Sequence, residues 1–115
     1  DVGNAYEFSQ CTWWAYLRRH QLGLPVGSYF GNGQDWANSA RAHGYWVDNT
    51  PRHKGDVMVF RAGQEGASSV YGHVAIVESI NADGTVTVSE CGASLNGKPA
   101  SRTLSNVNDF QYIHY

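Results

Sequence analysis

The strongest constraint in this chain is a pair of alternating runs, HVAIVESI (73–80) and TVTVSEC (85–91). They are separated by Asn81-Ala82-Asp83-Gly84, a turn-forming tetrapeptide. Period-2 alternation of β-branched residues on either side of such a turn reads as a β-hairpin. With Ile80 opposite Thr85, His73, Ala75 and Val77 share one face with Val86, Val88 and Glu90. Val74, Ile76 and Glu78 share the other with Thr85, Thr87, Ser89 and Cys91. A bulge would break this assignment. The hairpin therefore predicts an imidazole and a carboxylate as diagonal neighbours, where the acid can hold the ring in one tautomer and stabilise its charged form.

The remaining elements follow from local signals. Ser9 is expected to cap a helix over 10–22, which Gly23 and Pro25 end. Arg18, Arg19 and His20 fall in its last turns, where they complement the helix dipole. The Gly31-Asn32-Gly33 turn leads to a second helix over 34–43, with Trp36, Ala37 and Ala40 on one face and Gly44 as its stop. DVMVF (56–60) reads as a short strand, 61–71 as a loop, and QYIHY (111–115) as a last strand. Helices first and strands after give an α+β fold on an antiparallel sheet.

With 115 residues the chain is expected to form one domain, 1–115, and it starts mid-sequence at Asp1-Val2-Gly3 like a piece excised from a larger protein. Only 16% of residues are charged and the net charge is −2, which removes any electrostatic case for nucleic acid or an anionic membrane. No run approaches the ~20 apolar residues of a membrane span. A neutral or mixed-charge polymer suits this surface better.

Cys11 sits at the start of the first helix, where free backbone N–H groups and the positive dipole end favour a thiolate. Helices packed on the sheet could bring it over the His73 strand, joining nucleophile, base and orienting acid. Gln10 and the Cys11 amide could then donate to an oxyanion. Pattern alone leaves Cys11 open between this role and inert core filler, since free cysteine is among the most buried residues. On the hairpin register Cys91 faces away from His73, which argues against a Cys11–Cys91 disulfide. His20, His43, His53 and His114 show no metal-ligand spacing, so no zinc site is expected. Asp56, Glu78 and Asp109 are expected to be solvated or capping. Trp13, Trp14 and Trp36 suit a core better than a sugar-stacking platform. Trp14 and Tyr71 are the aromatic side chains expected nearest a substrate cleft, with the 63–69 loop beside them.

Several segments together resemble the CHAP domain, the cysteine, histidine-dependent amidohydrolase/peptidase family of bacterial and phage cell-wall hydrolases. They are Gln10-Cys11-Thr12-Trp13-Trp14, Gly31 to Trp36, Ala40 to Tyr45, Asn49-Thr50-Pro51, Gly55 to Phe60, Gly72 to Glu78 and Val86 to Glu90, in the family's order. The resemblance implies a papain-like fold of the NlpC/P60-CHAP type. It assigns Cys11 as nucleophile, His73 as general base, Glu90 as the orienting residue and Gln10 as an oxyanion donor. Thr12 and Glu90 favour CHAP over the NlpC/P60 group. The implied substrate is peptidoglycan, cut at an amide bond of the stem peptide or cross-bridge through a thioester, without a cofactor. The expected activity is a D,L-endopeptidase, with an N-acetylmuramoyl-L-alanine amidase as the alternative. The implied protein is a monomer, secreted, wall-associated or phage-borne. Two departures stand out. Gly92 occupies a position where many members carry Asn, which leaves room for a non-catalytic wall-binding or regulatory domain. Trp13 stands where calcium-binding members carry Asp, and only Asp1 and Glu7 are acidic before Cys11, so no calcium site is expected.

Overall fold

A computed structural model describes residues 3–115; Asp1, named above for calcium, lies outside them. Helix α1 (Cys11–Gln21), then a 3-10 turn (Gly33–Asp35) running into α2 (Trp36–Ala42), precede every strand of the sheet. The strands are β1 (Val47–Asp48), β2 (Val57–Phe60), β3 (His73–Ile80), β4 (Val86–Glu90), β5 (Ala100–Leu104) and β6 (Gln111–Ile113). They form one six-stranded sheet in the order β1-β6-β2-β3-β4-β5, with every pairing antiparallel. No helix among the described residues is long and apolar enough to cross a membrane.

The hairpin forms, but Ile80 pairs with Val86 rather than Thr85. A bulge between Val77 and Ser79 absorbs the extra residue, so Val77 faces Val88 and Ile76 faces Ser89 as expected. Turn and bulge offset one another, and the faces come out as read. Val74, Ile76 and Cys91 join the helix-side core with Trp14, Ala15, Trp36 and Ala37. Ala75, Val77, Val86 and Val88 join a second cluster with Met58, Phe60, Leu104, Phe110 and Tyr112. Both faces of the sheet are therefore covered, which is why β2 (VMVF) is buried throughout and shows no alternation.

Helix α1 is clamped to the hairpin by a chain of polar contacts. Trp14 Nε1 donates to Ser89 Oγ at 3.0 Å, and Ser89 Oγ donates to Glu78 Oε2 at 2.7 Å. Arg18 closes the chain with a bidentate pair to Glu78, 2.9 and 2.8 Å. Glu78 is thus neither freely solvated nor a cap, contrary to expectation; it is the bulged residue that ties helix to sheet. Asp56, expected to be solvated or capping, caps backbone N–H groups from inside the fold rather than from solvent. It is fully buried, and its Oδ2 accepts the backbone N–H groups of Arg52 and His53, both at 2.8 Å.

Two strands were not foreseen. Val47–Asp48 and Ala100–Leu104 are short edge elements without an apolar alternation, and their pairing with β6 and β4 is what defines them.

Candidate active site

The N-terminus of α1 lies one residue later than expected. Gln10 is the N-cap, with extended φ −71° and ψ 162°, and makes Cys11 the first helical residue. Its N–H is among those that have no partner within a helix. Ser9, expected as the cap, adopts φ 69° instead. Its hydroxyl donates to Gly92 O and accepts from Gly97 N, both at 2.8 Å, which fastens the helix entry to the chain leaving β4.

His73 opens β3 and Glu90 closes β4, so both stand at the same end of the sheet. His73 Nε2 lies 2.7 Å from Glu90 Oε1, and the Cys11 side chain is the other group near enough to act on the charge of the ring. Thiol, imidazole and carboxylate therefore form one cluster. The His73 ring rests edge-on against Phe60, with centroids 5.0 Å apart. Burial pulls the imidazole pKa down, but the hydrogen bonds and charges of Cys11 and Glu90 outweigh it and push it up to about 9. Burial also raises the Glu90 carboxyl, yet His73 and the Arg102 charge reverse this and hold it below its ordinary value. The ring is held as a proton donor beside a thiol at a helix tip.

The sign of the linkage follows. His73 is raised on folding, so its stabilising contribution is complete below 6.5 and is lost as pH climbs toward 9. Glu90 is lowered, so its contribution holds above 4.5 and is lost in acid. Thermal melts between pH 6.5 and 9 are expected to show the wild-type Tm falling toward that of His73→Ala. Parallel curves for the two proteins would contradict the coupling.

Arg102 is the residue that the sequence reading missed. Its Nε stands 2.7 Å from Glu90 Oε2, its Nη1 donates to Glu65 O at 2.8 Å, and its guanidinium sits 5.0 Å from the Phe60 ring centroid. It comes from β5, the strand not foreseen, one strand over from Glu90. The stretch ASRTL has one β-branched residue and no apolar alternation, so it carries no strand signal of its own. Gly92, the position of concern, has open space where a Cβ would be and lends its carbonyl to Ser9. Glu90 gains a second polar contact from Arg102.

An open cleft of about 920 Å³ lies over this cluster. Gln10, Cys11, His73 and Glu90 border it, as do Asn32, Gly33 and Tyr71 and the 65–68 stretch of the loop before β3. Tyr71 is largely exposed on its wall. Trp14 is placed otherwise than expected: it is buried in the helix–sheet core and does not border the cleft. A residue at the fourth position of α1 points one turn away from the tip and onto the sheet, which explains the difference. Trp36 is fully buried and Trp13 packs edge-on against Phe8. Cys11 and Cys91 are both free.

Gly33 has a steric role here. A Cβ on it would lie 2.7 Å from the backbone N and Cα of His73. Only glycine lets the 31–35 turn close against the strand that carries the imidazole. Gly33→Ala is expected to push that turn away, costing about 1–3 kcal/mol of stability as overpacking does. It should also lower turnover more than tenfold, about 1.4 kcal/mol in barrier, by shifting His73. Activity and denaturant melts on the one variant test both.

Fold and site define the class: a papain-like α+β scaffold with a cysteine–histidine–acid cleft at the tip of its first helix. Residues 1–92 match the CHAP domain, and the chain belongs to that family. It is 41% identical over 112 residues to a probable autolysin LDP of Staphylococcus aureus, covering 97% of this chain and 38% of that protein. It is 37% identical over 114 residues to N-acetylmuramoyl-L-alanine amidase sle1 of Staphylococcus saprophyticus, covering 96% of this chain and 33% of that protein. Among solved structures, an N-acetylmuramoyl-L-alanine amidase from Staphylococcus aureus superposes with a TM-score of 0.88 at 36% identity, over 99% of this chain and 32% of that one. The chain thus spans 32–38% of the length of these relatives.

Proposed function

We propose that this chain is the catalytic domain of a peptidoglycan hydrolase, secreted or wall-associated, that opens an amide bond of the wall peptide through a Cys11 thioester. The observation that carries this reading is the cluster of Cys11 at a helix N-terminus with the His73–Glu90 pair, all bordering one open cleft. Cys11 attacks the carbonyl as thiolate, the nucleophilic form. The charge that develops on oxygen is met by the Cys11 N–H and the Gln10 side chain. His73, held as imidazolium, protonates the leaving amine, and then helps water to cleave the thioester. Glu90, braced by Arg102, fixes the ring. No step requires a cofactor, and the reaction needs one copy of the chain.

For the scissile bond, the names of the relatives weigh toward the N-acetylmuramoyl-L-alanine linkage. That displaces the D,L-endopeptidase expected from the resemblance to second place. A non-catalytic wall-binding domain is favoured less than the sequence allowed, because Arg102 supports Glu90 where Gly92 cannot. Digestion of purified peptidoglycan, with new termini identified by mass spectrometry, tests all three. Free lactyl ends with new N-terminal alanine support the amidase. A new amine within the stem or cross-bridge supports the endopeptidase. No release from several wall chemistries overturns the enzyme reading.

A further inference from the structure

At the opposite end of α1 from Cys11, three residues that the sequence left unconnected come together. His53 and Asp56 lie in the turn before β2, and His114 follows β6. His53 Nδ1, an Asp56 carboxylate oxygen and His114 Nδ1 all lie within 4.8 Å of one another. His114 Nδ1 is 2.8 Å from Asp56 Oδ2, and His53 Nδ1 is 3.5 Å from Asp56 Oδ1. We propose that His53, Asp56 and His114 form a binding site for a divalent transition-metal ion of the zinc type.

Three observations carry this. First, the donor atoms are already gathered within 4.8 Å of one another, with contacts of 2.8 and 3.5 Å to the two Asp56 oxygens. Tetrahedral zinc with bonds of about 2.0–2.1 Å needs ligand atoms roughly 3.3 Å apart. Second, these atoms are shielded from solvent and none makes a well-directed hydrogen bond: His53 Nδ1, Asp56 Oδ1 and His114 Nδ1 meet only as close contacts within the cluster itself. Asp56 and His114 are fully buried residues, where orphaned polar atoms are rare and call for an explanation. Third, the outer contact of a metal-bound histidine is in place. His114 Nε2 lies 2.7 Å from Asp48 Oδ1, and a proton donated there leaves the Nδ1 lone pair facing Asp56 and His53. Asp56 Oδ2 is likewise fixed by the Arg52 and His53 amides. His53 is the half-exposed member, so the ion enters from its side and a water completes the shell.

The site selects by chemistry as well as by size. Arg52 pairs with Asp48 at 2.8 Å, and buried Arg19 lies close enough to Asp56 to feel its charge. These two cations offset the two carboxylates, so little net negative charge is left to draw a hard ion. Calcium and magnesium want several oxygen donors, whereas two imidazoles suit zinc, cobalt or nickel. A bound ion joins β1, the 52–56 turn and the residue after β6, three separate parts of the chain. It is therefore expected to stabilise the folded state by mass action.

The test uses the whole chain with Cys11→Ala, which removes the competing thiol of the cleft. Titration with Co²⁺ is expected to give a visible d–d band saturating at one ion per chain, and Zn²⁺ should displace it and raise Tm. His53→Ala, at a half-exposed position, should weaken binding at least tenfold while keeping the ion-free Tm. Asp48→Asn, which touches no donor atom of the site, should weaken it by about 10–100-fold, as loss of an outer contact does. Nuclear magnetic resonance should show zinc moving the ring signals of His53 and His114 but not those of His20 and His43. Absence of one-to-one binding, or binding unchanged by His53→Ala, overturns the site. So does Ca²⁺ or Mg²⁺ binding as tightly as Zn²⁺. None of these outcomes depends on hydrolysis, so the site stands or falls apart from the proposed enzyme activity.

Discussion

Cys11→Ala is expected to abolish release of soluble fragments from purified peptidoglycan, by at least ~10⁴-fold, while the protein still folds. A nucleophile, its base and its orienting acid act as a unit, and removing one member of such a unit costs nearly as much as removing all. The double variant Cys11→Ala, His73→Ala should therefore be no worse than either single one. Glu90→Gln is expected to cost less, because the amide still contacts the ring but no longer carries the charge that supports imidazolium. The fold should survive Cys11→Ala, since Cys11 is only partly buried and loses one sulfur atom. Turbidity clearing and amine release on the same wall preparation provide the measurement. Residual activity within tenfold of the wild type would remove Cys11 from the mechanism.

The second large effect concerns stability. Arg19 has no exposed surface, and every hydrogen bond of its guanidinium goes to a backbone carbonyl. Its Nε and Nη2 donate to Pro25 O at 3.0 and 2.7 Å, Nη1 to Gly55 O at 2.9 Å, and Nη2 again to His114 O at 3.1 Å. Burial pulls its pKa down to about 10, with the Asp56 charge working against the fall, so it remains charged at neutral pH. Arg19→Ala strands three buried carbonyls, leaves Asp56 without that nearby cation and opens a cavity. The expected cost is about 3–5 kcal/mol, a large share of the ~5–15 kcal/mol that holds most domains together. Urea denaturation and calorimetry should show Tm falling by roughly 10–20 °C. Arg19→Lys keeps the charge but loses the planar fork, and should recover only part of this. A loss under about 1 kcal/mol would mean that solvent reaches the site and replaces the missing donors.

What was legible in the sequence was whatever a local pattern could encode. The hairpin alternation placed His73 and Glu90 on one face, and the glycine after Leu22 marked the end of α1. The Trp36, Ala37, Ala40 face of α2 was also readable, and all three are buried. What was not legible depended on partners distant in the chain. Arg102 has no motif of its own and acquires its place only when β5 pairs with β4. Asp56 reads as a polar residue before a strand, and nothing nearby shows that His114 and Arg19 will enclose it. Ser9 reads as a cap because capping is a local rule, and the 92–97 loop that claims its hydroxyl is long-range. The Val77/Ser79 bulge had no sequence mark either; it could be inferred only from the turn being one residue longer than the pairing allows.

The strand order has a consequence for how the domain comes into being. β6 lies between β1 and β2, so the interior of the sheet is completed by the last strand to be made. Until Gln111–Ile113 is available, β1 has no neighbour to pair with and one side of β2 stays open. His114, just beyond, supplies one of the carbonyls that hold Arg19. Stable structure therefore waits for almost the whole sequence, and a nascent chain stopped before residue 111 holds an unfinished sheet. Such late, long-range closure slows folding. It also acts as a timer: the cleft becomes dependable only after synthesis of the domain is nearly over.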